Sequence, residues 1–297
     1  MDSEQNDIIP KKGLRKIKYF LLLLVFIFFV ILLKSPLRED KIIHISNNLN
    51  FDQIVEVLDK EKIINNSNLF NLFGKIFNLK IKTGDYLFEK NLSIPEIFYQ
   101  LARGNHKITP TRVTIREGLD NEKISDILDQ KLTNFDKNIF LEKARDKEGK
   151  LFPDTYFFFP LTTEEEIVNE LYNTFILKTK DLKEQIILSG KTLEEILTMA
   201  SILEGEANGE KDNKIISGIL WKRLSINMPL QVDVARETYK EKGLPPKPLN
   251  NPGLNSIKAS ISPIESNYLY YLHDKKGEVH YAKNYEEHKK NINLYLK

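Results

Sequence analysis

The chain contains no cysteine, which removes disulfides and thiolate metal sites together and leaves packing as the source of stability. It carries no phosphate-binding G-x-x-x-x-G-K-[ST], no dinucleotide-binding glycine fingerprint and no nucleophile-elbow G-x-S-x-G. Lys82-Thr83-Gly84 stands without any S-x-x-K partner, so an acyl-serine mechanism is excluded with the others. Histidines are few, at His44, His106, His273, His280 and His288, and none shows an H-E-x-x-H or comparable ligand spacing. No metal and no cofactor are expected. Excess charge is missing too: Lys11, Lys12, Arg15, Lys16 and Lys18, set against Asp2, Glu4 and Asp7, carry the whole formal charge of +2. The remaining residues are formally neutral, which argues against nucleic acid as a partner, since capture of a phosphate backbone needs a basic face. Acid and base work by carboxylates is the chemistry that remains.

What is present begins with an uncharged run of Leu, Phe, Ile and Val from Tyr19 to Leu33, flanked by Lys18 and Lys34. Extended to Ile17–Leu37 it has the length of a tilted membrane span. The segment Lys34-Ser35-Pro36-Leu37 offers no small-residue cleavage site, so an uncleaved anchor is expected rather than a signal peptide. The basic residues ahead of it place a short tail, residues 1–18, in the cytoplasm and everything after the anchor, residues 19–37, outside. That outer part is long enough for one large or two medium domains.

Within it the apolar pattern repeats at an offset of 70 residues. Ile45, Leu49, Ile54 and Leu58 match Ile115, Leu119, Ile124 and Leu128; Leu69-Phe70 matches Ile139-Phe140; Gly84-Asp85-Tyr86 matches Asp154-Thr155-Tyr156. Each copy reads as strand, two helices, aromatic strand and further helix, a βααβ-like unit over residues 42–105 and again over 111–178. The run Leu151 to Phe159 therefore reads mainly as a buried aromatic strand, with Asp154 and Tyr156 kept as groove candidates.

Further on, Thr192 and Glu195 form a capping box for a helix over Leu193 to Ala207. Leu193, Ile196, Leu197, Ala200, Leu203 and Ala207 fall on one stripe, and Glu204 projects into it. A carboxyl group held against apolar surface favours its protonated form, the property a general acid needs. Helical spacing also marks Asn213 to Leu224 and Ser256 to Ser260. Tyr268–His273 and Glu278–Ala282 read as a hairpin, and Tyr285 to Leu296 closes the chain as a helix. The fold class is α+β.

Several of these segments together carry a resemblance. Leu151-Phe152-Pro153-Asp154-Thr155-Tyr156, Ala200-Ser201-Ile202-Leu203-Glu204-Gly205-Glu206, Arg223-Leu224 with Met228-Pro229-Leu230-Gln231-Val232-Asp233, Gly243-Leu244-Pro245-Pro246 with Asn251-Pro252-Gly253 and Ser256-Ile257, and Glu287-His288 resemble, in this order, the motif series of the YceG-like (MltG) endolytic murein transglycosylases. The resemblance implies a single-pass enzyme of the bacterial inner membrane, with a LysM-like domain over residues 38–110 and a catalytic domain over 111–297. It implies non-hydrolytic cleavage of the MurNAc-β-1,4-GlcNAc bond in nascent peptidoglycan strands, leaving a 1,6-anhydroMurNAc end and terminating elongation, with cell-wall synthases as possible partners. The family's catalytic glutamate maps to Glu204. Glu206, Gln231, Asp233 and Asn251 fall at positions implied to orient substrate. The alternatives are a hydrolytic muramidase and a catalytically silent glycan-binding scaffold. The chain departs from the family where Lys222 precedes Arg223-Leu224, where Val234-Ala235 follows Asp233, where Arg236-Glu237-Thr238-Tyr239 comes at once afterwards, and where Lys247 stands in place of a glycine. One wall of the groove is expected to be trimmed.

Overall fold

The structure is a computed structural model and describes residues 18–23, 34–206 and 209–297. The expected tail and most of the expected anchor lie outside those residues. Among the described residues no helix is long and apolar enough to cross a membrane. The chain divides into two compact units, Met1–Thr109 and Pro110–Lys297.

The first unit opens at Lys34, whose backbone bridges to Ser93, and Ser35 N–H donates to the Leu92 carbonyl at 2.9 Å. Its elements are β1 (Lys41–Ile45), α1 (Phe51–Lys60), α2 (Ser67–Ile76), β2 (Gly84–Phe88) and α3 (Ile94–Arg103). The strands pair antiparallel with Ile43 opposite Tyr86. Helix starts follow local chemistry. Asn50 with Gln53, and Ser93 with Glu96, form complete capping boxes, each satisfying two backbone N–H groups that the first turn leaves without partners. Ile45, Leu58, Phe70, Tyr86, Phe88 and Leu101 fill the core.

The second unit begins with the same order of elements: β3 (Thr111–Thr114), α4 (Asn121–Lys131), α5 (Lys137–Ala144), β4 (Thr155–Phe158) and α6 (Glu164–Thr179). Val113 stands opposite Tyr156, each seventy positions after its counterpart in the first pair. The equivalence extends to detail. Tyr86 and Tyr156 both stack on the phenylalanine two residues on, at 6.0 and 5.9 Å. Both hydroxyls donate to the carbonyl four residues back, Lys82 and Phe152. Strand alternation places each tyrosine on the inner face, so Tyr156 is a core residue and not the groove residue the sequence suggested. Asp154, the other candidate there, is ion-paired to Lys178 on α6 at 3.0 Å, which holds its carboxyl below the usual range.

The regular elements of the rest of the second unit are helices and one hairpin, with a long irregular connection over 226–253: α7 (Lys183–Leu188), α8 (Leu193–Glu206), α9 (Glu210–Ser225), α10 (Leu254–Ile261), β5 (Tyr270–His273), β6 (Val279–Ala282) and α11 (Tyr285–Tyr295). Helix α8 is the axis: Ile196 to Leu203 are buried without interruption, with α10 and α9 packed on it. The single apolar stripe read from sequence is therefore too narrow. Thr198 and Ser201, which break the stripe, are buried too, and the Ser201 hydroxyl finds its partners inside the protein. Ser201 Oγ donates to the Thr198 carbonyl at 2.8 Å and accepts from Leu249 N–H at 3.0 Å.

Phe140 is fully buried at the centre of the second unit's first core, beside Ile124, Leu128 and Leu171. Phe140→Ala should lower the unfolding free energy by about 3–5 kcal/mol through lost transfer and cavity formation. Guanidinium unfolding followed by circular dichroism measures this.

Candidate active site

Helix α8 delivers Glu204 to the site. The Thr192–Glu195 capping box fixes its start, Glu195 Oε2 taking Thr192 N–H at 2.7 Å and Thr192 Oγ1 taking Glu195 N–H at 3.2 Å. Burial on all sides then fixes its direction, and Glu204 emerges half-buried one turn beyond Ala200. There its Oε2 accepts the N–H of Gly253 at 2.9 Å. Gly253 is the N-cap of α10, so the carboxylate meets the positive end of a helix, and its orientation is set by a backbone group.

Two glycines make room for it. Gly118 lies in the loop after β3 with φ +77, a left-handed conformation natural to glycine, and a side chain there would begin 3.2 Å from Glu204 Cγ. At Gly253 the obstacle is a second acid: an added Cβ would fall 1.8 Å from Glu117 Oε1. Glu117 and Glu204 thus converge on the same residue from different elements. Burial, and after it the charge of Glu204, raises the pKa of Glu117. Sequence reading missed Glu117, although its place directly before a glycine in the loop that follows β3 was visible.

The loop carrying Glu117 is tied to the loop carrying Gly253 through Asn251, which is 1 % exposed. Gly118 N–H donates to the Asn251 carbonyl at 3.0 Å, and Asn251 N–H to the Leu119 carbonyl at 2.9 Å. Its side chain accepts from Leu151 N–H at 2.8 Å and donates to Leu119 O, Asn121 Oδ1 and Glu148 Oε1 at 3.1, 3.0 and 3.3 Å. Asn251, a substrate-binding candidate from sequence, is instead a clamp inside the protein. Glu148, a second acid missed by sequence reading, closes this network by accepting from Asn121 N–H. Burial pushes its carboxyl up to about 7, while Lys247, at the family-departing position, pulls the other way.

On the other side of Gly205 lies a cavity of about 440 Å³. Glu206, Gln231 and Asp233, three of the sequence candidates, line it together with Arg223, Tyr239 and Tyr271. Glu206 accepts from Asp233 N–H and from the Tyr271 hydroxyl, each at 3.0 Å, and Tyr239 OH donates to Asp233 Oδ1 at 2.8 Å. Arg223 anchors the floor, its guanidinium donating to the carbonyls of Leu269 and Leu230. Gln231 holds a left-handed backbone, φ +51, as the chain turns through Val232–Ala235 into a short 3-10 turn, Arg236–Tyr239. Such strain in a non-glycine residue is sustained only by a tight surround. The candidates therefore separate into two groups. Glu204 stands with Glu117 at Gly253; Glu206, Gln231 and Asp233 share the tyrosine-walled cavity; Asp154, Tyr156 and Asn251 belong to neither. Elsewhere Asp274, Glu278 and His280 gather at the β5–β6 turn, close enough to hold a metal ion. Asp274 there already takes two backbone N–H groups and the His280 ring.

The site thus joins two carboxyl groups, one at the end of a buried helix and one on a loop, to a chain of α+β fold with a tyrosine-walled cavity at the same helix end. The YceG-like family model matches residues 43–237 and 236–294, and the chain belongs to that family. A relative from Streptococcus pneumoniae, named an endolytic murein transglycosylase, is 27% identical over 308 residues, covering 82% of this chain and 56% of its own length. A Bacillus subtilis relative of the same name is 25% identical over 304 residues, covering 86% of this chain and 84% of its own. The chain thus spans little more than half the length of the pneumococcal protein. A crystal structure of a YceG-like protein from Listeria monocytogenes superposes with a TM-score of 0.57 at 26% identity, covering 85% of this chain and 99% of that one.

Asn251→Ala leaves buried groups at Leu151 and Asn121 without partners and should cost about 3 kcal/mol, measured by denaturant unfolding. Glu148 gives a pH dependence of definite sign. Its folded-state pKa lies above the unfolded one, so its contribution is complete below pH 4.5 and is lost as pH rises through about 7. Melting temperature should fall across that window, and Glu148→Gln should flatten the fall.

Proposed function

We propose that this protein is a lytic transglycosylase that cuts the MurNAc-β-1,4-GlcNAc bond within peptidoglycan glycan strands, ending their elongation. The observation that carries the reading is the placement of Glu204: half-buried at the end of its helix, held by the Gly253 N–H, with Gly118 against its Cγ and Glu117 beside it at Gly253. The names of the pneumococcal and Bacillus relatives support the choice of substrate.

In this reading protonated Glu204 gives its proton to the glycosidic oxygen as the bond to the muramyl C1 breaks. The N-acetyl group of the same sugar stabilises the positive charge developing at C1. The C6 hydroxyl oxygen then bonds to C1 and its proton passes to Glu204, which returns to its starting state with an anhydro ring closed and no water consumed. The same group acts as acid and then as base, as microscopic reversibility allows. The cavity holding Glu206, Gln231 and Asp233 lies along α8 from Glu204 and suits a neighbouring part of the strand, its tyrosines offering faces for pyranose rings.

A hydrolytic muramidase is the second reading, and Glu117 is the observation in its favour, because ordinary glycosidases use two carboxyl groups. The direction of the Glu117 shift weighs against it: a nucleophile or water-activating base must be ionised, and Glu117 is biased toward its protonated form.

The run from Tyr19 to Leu33 supports a single-pass inner-membrane anchor with a cytoplasmic tail and the folded units outside. In that arrangement residues 38–110 form a LysM-like domain next to the membrane, and cell-wall synthases are the natural partners.

The protein should release 1,6-anhydro-terminated fragments from peptidoglycan, identified by mass spectrometry, and Glu204→Gln should reduce release about 10³-fold. Reducing muramyl ends would establish the muramidase instead, and retained glycan binding with no products would establish a scaffold.

A further inference from the structure

The reaction just described asks two opposed things of one carboxyl group. Glu204 must hold a proton when the strand arrives and must accept one half a cycle later. Its fixed hydrogen bond, Gly253 N–H to Oε2 at the N-terminus of α10, orients the group but supplies no proton. Something else at the site has to keep one at hand. The loop after β3 supplies a candidate that the mechanism leaves unused: Glu117 lies where any side chain at position 253 would stand, on the residue that Glu204 grips.

We propose that Glu117 is a positioning residue of the active site, sharing one proton with Glu204 across Gly253 and thereby keeping a proton ready for the glycosidic oxygen. The inference rests on Glu204 being the acid and base of the reaction.

Two carboxyl groups converging on one residue cannot both ionise at ordinary cost, because the second charge meets the field of the first. They titrate as a unit, and the unit retains one proton to higher pH than either group alone. The surroundings leave this coupling unopposed. Among the described residues, Glu204 on α8 is the charge that acts on Glu117, and burial is the other cause of its raised pKa. Helix α10, the third element at this point, presents the Gly253 amide. The loop carrying Glu117 contributes Gly118, which has no side chain.

The arrangement is also held against relaxation. The backbone that carries Glu117 is tied down at Gly118, whose N–H is bonded to the Asn251 carbonyl, and Asn251 is bonded in turn to Leu119, Asn121, Glu148 and Leu151. Gly253, two residues beyond Asn251, carries the N–H that holds Glu204. One buried residue thus holds both backbone segments on which the pair meets.

The test uses the full-length chain in detergent micelles with carbon-13 label in the glutamate carboxyls, and peptidoglycan as substrate for activity. In the unsubstituted protein the Glu117 resonance should titrate above the ordinary glutamate range, and in Glu204→Gln its midpoint should fall by about one pH unit or more. Glu117→Gln should still give 1,6-anhydro products, with the alkaline limb of its pH–rate profile displaced to lower pH by a similar amount. A Glu117 midpoint in the ordinary range that ignores Glu204→Gln would overturn the proposal even if anhydro products form. Coupled titration with reducing ends as the products would instead uphold the shared proton and refute the lyase reading. An unchanged pH profile in a folded Glu117→Gln protein would also overturn it.

Discussion

Asn251 is the residue through which the second unit becomes one object. The strand–helix repeat that opens this unit and the helices around α8 have separate cores, one centred on Phe140 and the others on Leu203 and Ile257. The hydrophobic effect is non-directional, so apolar burial draws such cores together without specifying which groups must face one another. Hydrogen bonds are directional, and a buried amide side chain with four partners on four different residues fixes position in every direction. The interaction spans up to 132 residues of sequence. Its cost is the burial of polar groups that must satisfy one another rather than water.

The site inherits its geometry from this junction. Glu204 arrives on a helix with no freedom to shift, since eight consecutive residues ahead of it are enclosed. Glu117 arrives on a loop, and loops position chemistry well only when their ends are tied down. The tie is the Gly118–Asn251–Leu119 backbone pairing. What results is two acids meeting at Gly253, one gripped by its amide and one standing beside it. The cavity beyond Gly205 is built differently, from tyrosine hydroxyls and carboxylates that satisfy one another around Glu206.

Much of this was legible in the sequence wherever the signal was local. The Thr192–Glu195 cap, the hairpin from Tyr270 to Ala282 and the closing helix at Tyr285 all follow from short-range rules. Helical periodicity singled out Glu204, the acid that the geometry holds at Gly253. The seventy-residue offset gave Tyr156 its correct core reading through its counterpart Tyr86, while the motif it sits in pulled the other way, toward a groove. The misses share one cause. Asn251 looked like a binding residue, and Glu117 and Glu148 drew no notice, because what defines them is contact across a hundred or more positions, and composition and periodicity carry no information at that range. The α8 stripe was drawn too narrow for the related reason that polar Thr198 and Ser201 fall outside it, and the Ser201 hydroxyl finds its partner at Leu249, 48 positions away.

The correspondence between the two strand–helix copies reaches the loop that carries Glu117. Asn50 caps α1 as Asp120 caps α4, and Leu49 precedes the one as Leu119 precedes the other. Two positions earlier the copies part: Asn47 and Asn48 stand where Glu117 and Gly118 do. The molecule therefore contains a second copy of this turn without the acid and the glycine. What the two turns share, the apolar residue and the cap that follows it, is what starting the helix demands; Glu117 and Gly118 are not required for that and are free to serve the place where the loop meets Gly253.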